Sequence, residues 1–184
     1  MLTDRRRRRG SPSHYRLFSR PTGDFLICVR LADMQRLDDA IFITYFSGYS
    51  AHQIEYKEVL YPTVEHAYHC QRYSDPRVIE EIRAARSPRK AWEVSQKYKA
   101  GQLSDFNDRK SLVMEELNRV KLQQHEDVQR ELLATGDMPI VKHWVAGSPP
   151  DGFWDDGQDG TGRNEVGKIW MRLREELKSG TTSA

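Results

Sequence analysis

The stretch Tyr61-Pro-Thr-Val-Glu-His-Ala-Tyr-His-Cys-Gln71 decides how the rest of the chain is read. Pro62 fixes the entry angle of a helix and Thr63 is a good N-cap. Val64, Ala67, Tyr68 and Gln71 then recur at helical spacing as a mostly apolar stripe. Glu65, His69 and Arg72 fall on a different face. A carboxylate in a first turn complements the helix dipole, worth about 0.3–1 kcal/mol, so position alone gives Glu65 no chemical role. The flanking stretches make it a candidate.

Upstream, Ile41-Phe-Ile-Thr-Tyr-Phe46 is a β-rich run, and the residues from Gln53 to Tyr61 suggest a small hairpin around Lys57-Glu58. Phe25-Leu-Ile-Cys-Val-Arg-Leu31 reads as a buried strand or a short extension packed onto the domain. Downstream, Asp75-Pro76 and Ser87-Pro88 each place an N-cap before a proline at the first helical position. Val78, Ile79 and Ile82 mark the first of these helices. Ala91, Trp92, Ser95 and Tyr98 mark the second, which should end near Gly101 as a left-handed C-cap. Ser104-Asp105 opens a longer helix with Phe106, Leu112, Val113, Leu117 and Val120 on one side. A short helix from Glu126 to Ala134 follows, with Val128, Leu132 and Leu133 apolar and Gly136 closing it. Met138 to Val141 reads as a strand. A final helix from Asn164 turns Val166, Ile169, Trp170 and Leu173 inward, with Arg172, Arg174 and Lys178 outward or near its C-terminus. The sum is a mainly helical α+β domain with a minor sheet, spanning residues 41–178. It is preceded by a disordered basic tail (1–20) and an extension (21–40), and followed by a disordered C-terminus (179–184).

The chain has 184 residues, 38% hydrophobic and 30% charged, enough for one ordinary core without metal or disulfide support. No apolar run is long enough for a bilayer, so no membrane partner is expected. The two cysteines, Cys28 and Cys70, are too few for a disulfide framework, and a reducing, cytoplasmic setting fits, or a nuclear one in a eukaryote. Net charge is only +2, but Arg5, Arg6, Arg7, Arg8 and Arg9 form an unbroken run. Such a run reads either as a solvated tail or as a nucleic-acid contact.

Between Gly147 and Gly162 the composition changes to glycine, proline and aspartate, which marks a long functional loop. Its end at a helix N-terminus suggests an anion site. An EF-hand is excluded by register, since the twelfth position counted from Asp155 is Val166, and a Rossmann turn by glycine spacing. The histidines near Glu65 lack a His-Glu-x-x-His pattern and cysteine partners, so no metal is expected. Cys70 sits on a helix body without activating context, and no Gly-x-Ser-x-Gly is present.

Taken in order, these stretches resemble the NADAR (NAD- and ADP-ribose-associated) family. The parts that match are the Phe46-Ser-Gly-Tyr-Ser-Ala-His52 turn, the Tyr61 to Tyr68 run, Ala85-Arg-Ser-Pro88, Leu132-Leu-Ala-Thr-Gly-Asp137, Phe153-Trp154 and Gly162-Arg-Asn-Glu-Val-Gly167. The resemblance implies a mixed, largely helical fold and hydrolysis of an N-glycosidic bond without a cofactor. It points to an ADP-ribosyl or ribosyl-phosphate substrate, with ADP-ribose on guanine in nucleic acid first. A ribosylaminopyrimidine phosphate of riboflavin biosynthesis, or a module that only binds NAD or ADP-ribose, stand as alternatives.

Such cleavage passes through a ribosyl cation-like transition state, which needs a carboxylate near the anomeric carbon, a flat surface for the base and donors for phosphate. Glu65 is the expected catalytic carboxylate. By resemblance Asp159 is its acidic partner and Trp154 a wall of the pocket. Ser47, Gly48, Tyr49, His66, Phe106, Arg109, Gly157, Gly162 and Asn164 are expected to bind substrate. The chain departs from the family pattern at Phe106, where Trp is usual, at Asp155, often Gly, and at Lys142, where an acid is common.

Overall fold

The computed structural model describes residues 27–29, 45–143 and 151–180. The basic tail with Arg5 to Arg9, the Ile41 to Thr44 run and the last four residues lie outside these. The order of elements is β1 (Ile27–Val29), β2 (Ile54–Tyr56), β3 (Val59–Tyr61), α1 (Val64–Cys70), α2 (Pro76–Arg83), α3 (Pro88–Lys97), a 3-10 turn (Lys99–Gly101), α4 (Phe106–Gln124), α5 (Glu126–Ala134), β4 (Ile140–Lys142) and α6 (Glu165–Lys178). This is the expected mainly helical α+β domain, its sheet split into two antiparallel pairs, β1 with β4 and β2 with β3. β1 lies within the Phe25 to Leu31 run and pairs Ile27 with Lys142 and Val29 with Ile140. Among the described residues no helix is long and apolar enough to cross a membrane.

The helix starts follow the sequence signals. Thr63 Oγ1 accepts from His66 N, Asp75 Oδ1 from Arg77 N and Ser87 Oγ from Lys90 N, each satisfying an amide that a first turn leaves without a partner. The β2–β3 turn is made by Lys57 and Glu58, both at positive φ (53° and 62°). This is the twist a two-residue hairpin requires. Gly136, at φ 57°, closes α5.

Trp170, Phe46, Ile54, Ile82, Leu117, Leu122, Leu132, Ile140 and Ile169 form the centre of the core, all at most 1% exposed. Full burial of each aliphatic side chain contributes about 1.5–3 kcal/mol. α1 packs on α2, α3 and α4, while α6 packs on α4, α5 and β4. Trp170 Nε1 donates to Phe46 O at 2.8 Å, tying α6 to the start of the Phe46–His52 turn. Lys121, fully buried on α4, donates to Tyr45 O, Ser47 O and Ser50 Oγ and pins the same turn from below.

Four expectations are corrected. Gly101 is not a left-handed cap: α3 stops at Lys97 and Tyr98 caps it in a non-left-handed conformation. Leu112 is 70% exposed, because the buried stripe of α4 runs through Val113, Met114, Leu117, Asn118, Lys121 and Leu122 and admits two polar residues in its place. Leu133 is 44% exposed beside buried Leu132. Arg174 is buried, not outward, with Nη1 donating to Thr135 Oγ1 at 2.8 Å and Met138 O at 2.7 Å.

Candidate active site

A cleft of about 500 Å³ opens between the Phe46–Tyr49 turn, α1, α3, α4, β4 and the loop that begins at Asp151. That volume suits a small ligand, for which clefts of roughly 300–1,000 Å³ are usual. Among the predicted residues Ser47, Gly48, Tyr49, Glu65, Phe106 and Trp154 line it.

α1 presents Glu65 because Thr63 starts the helix one residue before Val64, which turns inward at 1% exposure and leaves the next position facing the cleft. Glu65 N donates to Gly48 O at 3.0 Å, so a first-turn amide finds its partner in the turn. Gly48 leaves room for the carboxylate: a Cβ there would lie 3.0 Å from Glu65 Oε2, which would have to give by a few tenths of an ångström. The carboxylate accepts from His69 Nε2 at 2.8 Å, one helical turn on. Arg72 Nη1 lies 3.1 Å from His69 Nδ1, and Arg72 Nε and Nη2 both reach Gln102 Oε1. Burial of Glu65 acts to raise its carboxyl, yet the His69 hydrogen bond and the Lys142 charge outweigh it and leave the group below its ordinary value of 4.5. Glu65 is therefore ionised at neutral pH inside a sheltered cleft.

The opposite wall is the 151–163 loop. Trp154 lines the cleft and meets Tyr68 edge to face at 5.7 Å, and Phe106, 2% exposed, meets Tyr68 at 5.3 Å. Asp155 is buried, lines the cleft and accepts from Gly157 N at 3.0 Å. Lys142 lines the cleft from β4; burial lowers its ammonium, opposed by the charges of Glu65, Asp155 and Asp151. Asn118 completes the lining from α4. Its Oδ1 is buried without a hydrogen-bond partner, while its Nδ2 donates to Met114 O.

Other predicted residues stand outside the cleft lining. His66 is 1% exposed and spends both ring nitrogens on Thr63 Oγ1 and Ala85 O. Arg109 pairs with Asp105 and donates to Gln71 O. Asp159 is exposed at the loop tip, where Oδ1 accepts from Thr161 N and Thr161 Oγ1; those bonds lower its carboxyl. Gly157 (φ 71°) and Gly162 shape the loop: a Cβ on Gly162 would lie 2.4 Å from Asp155 O. Asn164, left-handed at φ 48°, clips the loop to β4 through Lys142 N and Ile140 O.

The anion site expected at the start of α6 is not formed. Glu165 N donates to Phe153 O at 3.0 Å and Val166 N to Trp154 O at 3.4 Å, so the loop's own carbonyls take the amides a phosphate would need. Besides Arg72 and Lys142, the cationic side chains that line the cleft are Arg89, beside Trp92 on α3, and Lys110 on α4, over the Phe153 ring. Arg89, Gln96, Asn107 and Asn118 were not expected from the sequence. His69 and Arg72 were placed on the Glu65 face without a function, and their spacing of four and seven from Glu65 was the available signal.

Among the described residues, His52, His125 and Asp127 bring possible metal-ligand atoms within 4.8 Å of one another, outside the cleft lining. There His52 bridges Ser50 Oγ and Asp127 Oδ2, and burial followed by the Lys121 charge lowers its imidazolium. Cys70 is no nucleophile, since burial pushes its thiol up to about 12.

A NADAR domain matches residues 38–178, most of the chain and every cleft-lining residue. The chain belongs to the NADAR family. It is 33% identical over 132 residues to N-glycosidase YbiA of Escherichia coli, an alignment that covers 72% of this chain and 80% of YbiA. The NMR structure of E. coli YbiA superposes on this NADAR chain with a TM-score of 0.67 at 31% identity, covering 76% of this chain and 81% of YbiA. The riboflavin biosynthesis protein VVA0006 of Vibrio vulnificus is 39% identical over 118 residues. That match takes in 64% of this chain but only 31% of the Vibrio protein, so the NADAR chain spans about a third of its length.

Proposed function

We propose that this NADAR protein hydrolyses the N-glycosidic bond of an ADP-ribosyl or ribosyl-phosphate substrate, and that ADP-ribose attached to guanine in nucleic acid is its substrate. The observation that carries the reading is Glu65, an ionised carboxylate held in a sheltered cleft whose opposite wall is Trp154. The YbiA relatives, named N-glycosidases, support the reaction class.

In this mechanism the bond between the anomeric carbon and the base nitrogen breaks, and its electron pair leaves with the base. Glu65 stabilises the positive charge that builds on the ribosyl ring and takes a proton from the attacking water. The water oxygen becomes the new hydroxyl of the sugar and the departing base nitrogen acquires the proton. Trp154 supplies a flat surface, and Arg89 and Lys110 supply cations for phosphate.

A second reading, a ribosylaminopyrimidine phosphate as substrate, is favoured by the name and the identity of the Vibrio relative. Incubation with ADP-ribosylated DNA and, separately, with the pyrimidine intermediate, followed by mass spectrometry of the released sugar, decides between them. Turnover of neither, with ADP-ribose still bound, would leave a binding module. Nucleic-acid affinity through Arg5 to Arg9 belongs to the same proposal. Each arginine neutralising a duplex phosphate steepens the salt dependence of log K by about 0.9, so removing residues 1–13 should flatten it.

A further inference from the structure

The hydrogen-bond chain behind Glu65 has a direction that follows from donor chemistry alone. A guanidinium has N–H donors and no acceptor. Arg72 Nη1 sits 3.1 Å from His69 Nδ1, so that nitrogen offers its lone pair and the ring proton resides on Nε2. Nε2 in turn lies 2.8 Å from Glu65 Oε1, an acceptor when ionised. Arg72 is itself held: Nε and Nη2 donate to Gln102 Oε1 at 2.9 and 2.5 Å, Nη1 also reaches Ser95 Oγ at 3.2 Å, and its carbonyl accepts from Leu103 N at 2.9 Å. The His69 side chain is 4% exposed and that of Glu65 15%, so water competes little for either bond.

We infer that His69 is a positioning residue for Glu65: Arg72 locks it as the Nε2–H tautomer, which aims a fixed donor at one carboxylate oxygen and leaves the other free for the substrate. This rests on the reading of Glu65 as the carboxylate that acts on the sugar. The arrangement assigns each oxygen a task. Oε1 is engaged by His69, while Oε2 is the oxygen lying against Gly48, on the turn that forms the cleft rim. The charged and titratable groups acting on Glu65 are His69 and His66 from its own helix and Lys142 from β4; Asp151 and Asp155 face Lys142 from the loop. Loss of the His69 donor leaves burial of Glu65 opposed by fewer of these.

The test uses the full chain with His69→Leu, His69→Gln and Arg72→Met. His69→Leu should lower kcat by about tenfold to a hundredfold, the usual scale for losing an orienting partner, with KM changed less than about threefold. Its acid limb in kcat/KM should move to higher pH. His69→Gln, which retains an amide donor toward Glu65 and a carbonyl toward Arg72, should recover most of the kcat. An unmoved acid limb together with wild-type kcat in His69→Leu would overturn the inference.

A second readout does not need turnover. Histidine-selective 15N NMR of the wild-type chain should show His69 protonated at Nε2, and Arg72→Met should convert it to a mixture of tautomers. An Nδ1–H form in the wild type overturns the positioning role even if the enzyme is active. Absence of turnover on either substrate, with the Nε2–H tautomer intact, counts against the proposed function and not against the lock.

Discussion

On one side of the cleft α1 presents Glu65 through side chains that hold one another, with His69, Arg72 and Gln102 in series behind it. On the other, the loop presents Trp154 and Asp155 through backbone that holds itself: Asn164 N returns to Asp155 O, Glu165 N to Phe153 O and Gly162 N to Asp156 O. The first wall is fixed by residue identity, so a single side-chain change there should alter chemistry. The second is fixed by glycine placement and by loop carbonyls, with the Asn164 side chain clipping it to β4 and Asp155 Oδ1 holding Gly157 N, so exposed side chains at its tip can change without moving the wall.

The sharpest way to break this contrast is Glu65→Gln. It keeps the shape and removes the charge, so turnover should fall on the order of a hundredfold or more while ADP-ribose affinity stays nearly constant. Single-turnover rate, affinity and melting temperature measured on one preparation test this; an unchanged rate would reduce Glu65 to a helix-start residue. The sign of the pH dependence follows from its depressed carboxyl. Activity and the stabilisation from its His69 hydrogen bond and the Lys142 charge are fully present above 4.5 and are lost only as pH falls through the lower folded-state value.

Gly48→Ala should cost on the order of tenfold in kcat, since the new Cβ meets Glu65 Oε2 at 3.0 Å and displaces the carboxylate by a few tenths of an ångström. Crystallography of the variant would show the shift, and wild-type kcat with a moved carboxylate would argue that its placement is not critical. Trp154→Ala should weaken ligand binding by several-fold to about tenfold, the scale of one stacking surface, with kcat changed less; titration calorimetry measures it, and equal affinity would remove Trp154 from the site. Asp159→Asn should change turnover by less than about twofold, because its carboxylate serves Thr161 at the loop tip. A loss comparable to that of Glu65→Gln would bring the tip into the chemistry and erase the distinction between the walls.

Much of the helical side was legible in the sequence because its determinants are local. Thr63, Asp75-Pro76 and Ser87-Pro88 act within one turn, and the spacing of Glu65, His69 and Arg72 puts them on one face regardless of what packs elsewhere. Lys121 and Arg174 were not legible as buried groups. Their partners, Tyr45 and Ser47 for one and Thr135 and Met138 for the other, lie dozens of residues away and are largely backbone carbonyls, which leave no mark on composition. The loop misled for a related reason. Its glycines signalled a close backbone approach, as at Gly162, but the approaching partner is the loop itself and not a phosphate. Asp159 and Asp155 are equivalent in a string of aspartates, and only the fold decides which one turns inward.

The closed path of that loop has a practical consequence. Residues Gln158 to Thr161 stand exposed beyond a crossing whose ends are tied to β4 and α6, so a group attached there is carried on the same loop that supplies Trp154 to the cleft. A Gln158→Cys substitution in a Cys28→Ser background would offer one reactive thiol for a dye, because Cys70 is buried with its own thiol pushed up to about 12. The label would sit four positions from Trp154, whose indole can quench it, turning the loop tip into an optical gauge of whether the cleft is filled.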